Sequence, residues 1–151
     1  MRLLPAAVLP ALSLVALALA ACSRQSEGPP PPAPPPEPSH ILGGVDLDKP
    51  IRAVGNEPFW YVTLDGTHMV YGGPDRPERS VTQSPVVMRG TTATFTGQAA
   101  QGGALEVTLV ATECSDGMSD RTYPLVARVK VGGETLIGCA AATSTFTPQP
   151  E

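Results

Sequence analysis

The stretch "YPLVARVKVGGETLIGCA", residues 123–140, decides the fold class. Leu125, Ala127, Val129 and Val131 face one way, while Arg128 and Lys130 face the other. A repeat of two is the period of a strand with one buried side. Gly132-Gly133 then falls where a hairpin turn is needed, because glycine adopts positive φ without steric cost.

The same pattern recurs along the chain. In "ALEVTLVATEC" (104–114), Leu105, Val107, Leu109 and Ala111 alternate with Glu106, Thr108 and Thr112. "FWYVTLDGTHMVYGG" (59–73) repeats it with Asp65-Gly66 as the turn, and "TTATFTGQA" (91–99) reads as a half-buried strand rich in Thr. No segment after the N-terminal apolar run carries an eleven-residue helical stripe. The expected strands are 51–54, 59–65, 68–72, 80–83, 86–89, 91–98, 104–113, 125–131 and 134–141. "GGPDRPERSVTQSPVVMRG" (72–90), with its prolines and charges, reads as a long loop with interrupted edge strands. The fold class is all-β: a small antiparallel meander of about eight strands forming a barrel, with a sandwich as the alternative. Closure would remove exposed strand edges, which matters for a protein concentrated on a membrane.

The first 21 residues read as a signal peptide. Arg2 supplies the positive start, and "LLPAAVLPALSLVALALA" an apolar core ending in small residues. Pro5 and Pro10 interrupt the run, which argues against a retained membrane helix. It stops at "LAAC" (19–22), which resembles the lipobox of bacterial lipoproteins. That resemblance implies cleavage before Cys22, a diacylglycerol on its thiol and an acyl chain such as palmitate on its amine. Ser23 resembles the residue of cargo sent to the outer membrane, where an Asp would signal retention at the inner one. Residues 22–40 form the lipidated Cys and a Pro-rich linker, expected to be polyproline II and a passive spacer. At about 3.1 Å per residue it reaches roughly 50 Å. The remaining chain divides into a single β-domain, 41–147, and a short tail, 148–151.

The net charge is −4 and the basic residues are scattered, which gives no nucleic-acid footprint. With Cys22 lipidated, Cys114 and Cys139 remain, and in an oxidising compartment an even remainder reads as one disulfide. "CSDGMSDRTYP" (114–124) follows the first of them. Its Ser-Asp pairs suit Asx and Ser turns. One helical turn there would put Asp116 and Asp120 on one side, with Arg121 bridging to one of them or to Glu57. The loop is either a self-satisfied corner or a rigid display of Asp116, Asp120, Arg121 and Tyr123 for binding. In "GNEPFW" (55–60), Pro58 holds Glu57 extended at a strand entry. One of Phe59 and Trp60 should face the core while the other covers a rim.

"GNEPFW", "CSDGMSDRTYP" and "GCA" (138–140) together resemble a group of small uncharacterised bacterial envelope lipoproteins, over roughly residues 51–141. The resemblance implies that Glu57, Trp60, Asp116, Asp120, Arg121 and Tyr123 belong to the family pattern, and it brings no reaction with it. In architecture the chain is also similar to periplasmic lysozyme inhibitors, lipid-anchored and disulfide-braced β-barrels that insert loops into the enzyme's cleft. It lacks the cysteine context of their inhibitory motifs.

The function expected from these features is a non-enzymatic, lipid-anchored binding or inhibitor module facing the periplasm from the outer membrane. Its anchor is the membrane, its partner a periplasmic protein or peptidoglycan, and it needs no cofactor. Two other functions remain open. Copper handling would use soft ligands among His68, Met69, Met88 and Met118. A hydrolase would use Asp116 and Asp120 as paired carboxylates.

Overall fold

A computed structural model describes residues 39–98 and 103–146. The expected signal peptide, the lipidation site Cys22, nearly all of the linker and the C-terminal tail lie outside the described residues.

The domain is a closed eight-stranded antiparallel barrel. Two short strands come first, β1 (Ile41–Leu42) and β2 (Val45–Asp46). The next four are β3 (Ile51–Asn56), β4 (Phe59–Leu64), β5 (His68–Gly73) and β6 (Arg76–Gln83). They are followed by β7 (Val87–Arg89), β8 (Thr92–Gln98) and β9 (Ala104–Val110). β10 (Cys114–Ser115), β11 (Thr122–Tyr123), β12 (Leu125–Val131) and β13 (Glu134–Ala142) complete the set. The barrel wall runs β6-β5-β4-β3-β13-β12-β9-β8, and β8 pairs back onto β6 through Thr82↔Gln98 and Gln83↔Gly97. β3 and β13, the first and last strands of the wall, lie side by side. Closure selects the barrel over the sandwich.

The alternation read from sequence is the alternation of lumen and exterior. Ile51, Val62, Leu64, Met69, Phe95, Val107, Leu109, Leu125 and Val129 point inward and are fully buried. Side chains therefore fill the lumen, as in other small barrels. No polar or charged side chain is buried among the described residues. At the β12–β13 hairpin, Val131 faces Glu134, and Gly132 and Gly133 both have positive φ, as a two-residue turn requires. The β1–β2 hairpin was not expected from sequence; its Leu42 and Val45, with Leu47, join the barrel core.

One expectation is corrected in extent and another is sharpened. The strands expected at 80–83 and 86–89 are present, but the first is longer than expected: Arg76–Gln83 is an eight-residue strand of the wall, so 76–79 is not loop. Its prolines escaped recognition because bulges absorb them. Pro77 and Glu78 stand opposite Gly72 alone, where the register with β5 shifts. Ser84, Pro85 and Val86 face only Phe95 and Thr96, which makes β6 and β7 one strand broken by a bulge. Neither proline occupies a position that must donate to a ladder.

"NEPFW" does enter a strand, β4, and the structure adds that the same residues form a turn. Asn56 pairs with Phe59, so Glu57-Pro58 is the tip of a tight β3–β4 hairpin, with the Glu57–Pro58 peptide cis. Of the two aromatics, Trp60 enters the core at 3% exposure, while Phe59 stays outside at 53%.

Candidate functional site

Trp60 explains why two of the quoted motifs begin with glycine. Gly55 lies on β3, next to the strand of Trp60, and Gly138 on β13, one strand further along the wall. A Cβ on either would run into the Trp60 indole, and one on Gly138 would also meet the Val54 carbonyl. The ring fits against the two strands because neither residue has a side chain. The indole lies on the inner side of the wall, in the core, and the outer face of β3 and β13 is free of it.

That outer face receives the 114–124 loop. The chain leaves β9 and passes through β10, then turns and returns through β11 to β12. β10 and β11 pair only with each other, Cys114 facing Tyr123 and Ser115 facing Thr122. The ribbon packs on β13 from outside. Cys139 and Ala141 point outward from β13 yet are buried, because Tyr123, Cys114 and Phe146 cover them. Tyr123 and Phe146 stack with their centroids 5.5 Å apart. Cys114 and Cys139 form the expected disulfide, with Cα atoms 5.5 Å apart.

The tip of the loop is held by one carboxylate. Asp116 Oδ1 accepts from the backbone N–H of Met118 at 3.0 Å and of Ser119 at 2.9 Å. The Ser119 hydroxyl lies 3.1 and 3.0 Å from its two oxygens, and the Tyr123 hydroxyl donates to Oδ2 at 3.0 Å. Donation from the Ser119 and Met118 N–H groups, then from the two hydroxyls, draws the Asp116 pKa down to about 2. Burial, and then the bond to the Asp116 carboxylate, push the Tyr123 phenol up.

A second anchor comes from a residue that the sequence reading left out. The Asn56 side-chain amide donates to the Asp116 carbonyl oxygen at 2.5 Å, sixty residues away in the chain. This bond ties the β3–β4 hairpin to the loop. No local signal in the sequence marks the pair; only the β3–β13 register makes them neighbours.

The expected site residues thus divide. Asp116 and Tyr123 brace the loop. No helical turn forms at 116–120, so the expected alignment of Asp116 with Asp120 is corrected. Arg121 makes no ion pair with Asp116, Asp120 or Glu57 among the described residues. It donates to the Thr145 carbonyl at 3.1 Å, because the loop folds down toward the end of β13. Asp120 is exposed at the loop surface, and Glu57 is exposed at the hairpin tip.

Between the loop and the wall lies an open groove of about 490 Å³. Its floor is the outer face of β3, β13 and β12, with Val54, Ile137 and Val126, and the loop side presents Ser115, Asp116 and Met118. Ile137 is 63% exposed and Met118 69%. Uncovered aliphatic side chains beside a braced loop are suited to contact with another molecule.

The other two chemistries find less support in the geometry. Both Asp116 oxygens are engaged by donors from Met118, Ser119 and Tyr123, while Asp120 is exposed at the loop surface. The soft-ligand side chains do not all converge: Met69 is buried in the lumen and Met88 packs against the same core, whereas His68 is exposed with Nδ1 3.0 Å from the Thr67 hydroxyl. Met118 belongs to the outer groove. Comparison with protein-family models, with curated proteins and with solved structures gives no significant match to this chain.

Proposed function

We propose that the chain is a lipid-anchored protein of the outer membrane whose β-barrel faces the periplasm. There it works as a non-enzymatic binding module for an envelope component, a periplasmic protein or peptidoglycan. The address rests on the apolar leader, the "LAAC" lipobox and the Pro-rich spacer. A Cys22-linked lipid with several acyl chains would anchor firmly, since each buried methylene adds about 0.8 kcal/mol. The likeness of "GNEPFW", "CSDGMSDRTYP" and "GCA" to small envelope lipoproteins agrees with this address.

One observation carries the binding role: the groove whose apolar floor stays uncovered while disulfide, carboxylate and Asn56 hold its loop side in place. A loop ordered before contact loses little entropy on binding. The test compares chemical crosslinking of the anchored protein in cells with that of an Ile137→Asp variant. Ile137 is exposed, so the variant should fold, and near-ultraviolet circular dichroism checks that it does. A discrete adduct present with the parent chain and lost with the folded variant supports the role. An adduct equally strong with both contradicts it.

A further inference from the structure

The groove has a charge as well as a shape. Its ionisable lining residues, among those described, are Glu57 and Asp116, both acidic. The floor is aliphatic, with Val54, Val126 and Ile137.

The loop side of the groove also carries backbone. β10 pairs with β11 along one edge only. Cys114 and Ser115 line this groove, whereas Thr122 and Tyr123 line a separate depression. The free edge of β10 therefore opens on the aliphatic floor. An open strand edge beside such a floor receives an extended peptide, with main-chain hydrogen bonds along the edge and alternate side chains on the floor. Complementary charge then selects its partner.

We propose that the groove takes an extended segment of a protein partner, in which an aliphatic side chain seated on Val54, Val126 and Ile137 is flanked by Lys or Arg facing Glu57 and Asp116. This inference rests on the groove being the binding surface and adds the chemistry of what binds there.

The test uses the full-length chain with methyl NMR and three probes. They are a capped Lys-Val-Leu-Val-Lys peptide, its Glu-Val-Leu-Val-Glu counterpart, and soluble peptidoglycan fragments. The basic peptide is expected to shift the Ile137, Val126 and Met118 methyl signals saturably, with the acidic one at least about tenfold weaker. Glu57→Gln should weaken the basic peptide by roughly fivefold, and added salt should shrink the difference. Equal affinity for the two peptides, or shifts that map elsewhere, would overturn the charge selection. Glycan fragments that shift these methyls where neither peptide does would overturn the peptide occupant while leaving the groove as the binding surface. No shift with any probe overturns the inference; crosslinking from Ile137 in cells then decides separately whether the groove binds anything.

Discussion

The Asn56 side-chain amide donates to the Asp116 carbonyl, and with that bond the β3–β4 hairpin holds the tip of the disulfide-pinned loop. The hairpin and the loop thus form the two sides of one groove. Asn56→Ala removes a single hydrogen bond and leaves the barrel intact. The expected loss of stability is about 1 kcal/mol. Hydrogen exchange checks it: the amides of Met118 and Ser119 should lose protection while those of β12 keep theirs.

Trp60 reports on its own packing, because it is the only tryptophan. Gly138→Ala places a methyl against the indole and the Val54 carbonyl, overpacking that costs about 1–3 kcal/mol. Unfolding followed by Trp fluorescence should show both a lower denaturation midpoint and a shifted native emission. Trp60→Ala, which empties the same site, should cost about 3–5 kcal/mol.

The disulfide closes a separation of 25 residues. In the chain-entropy account that is about 3–4 kcal/mol of stabilisation. Since Cys139 is buried under Tyr123 and Phe146 on the outside of the wall, a double Cys114→Ala/Cys139→Ala variant should keep the barrel. Its urea midpoint should fall by an amount matching that estimate, and the parent chain should match it after reduction.

Acid should loosen the loop. The Asp116 pKa lies at about 2 in the folded chain, below the ordinary 3.8, so ionisation and folding support each other. The contribution is complete above pH 3.8 and fades as pH falls through that value toward 2. Asp65, held at about 2 by the His68 and Thr67 N–H groups and the Thr67 hydroxyl, acts in the same window. Asp116→Asn should therefore remove part, but not all, of the stability change between pH 4 and pH 2. Carboxyl NMR should also find the Asp116 midpoint raised in Tyr123→Phe and Ser119→Ala.

The wall of the barrel was legible wherever one face is buried, because "LVARVKV" and "ALEVTLV" alternate without interruption. It was only half legible in Arg76–Gln83, read as a strand over 80–83 alone, because bulges on either side hide the period and put Pro77 and then Pro85 where a strand tolerates them. The Cys114–Cys139 pairing followed from counting cysteines, without any knowledge of geometry. The roles within the loop did not follow. Asp116 and Asp120 look equivalent as letters, yet one is turned into a cage of N–H and O–H donors and the other is left outside. Which one turns in depends on Tyr123 and Ser119 reaching it, and that depends on the ribbon lying against β13. Asn56 carried no signal, because its partner is set by the register of the first and last wall strands.

The central claim is that the groove floored by Ile137 is the surface this protein presents to its partner. It is tested most directly by placing a photo-crosslinking amino acid at Ile137 and, separately, at Thr82, exposed on the opposite wall, in the anchored protein in cells. The account predicts a discrete adduct from position 137 and none from position 82. No adduct from 137, or the same adduct from both positions, would contradict it.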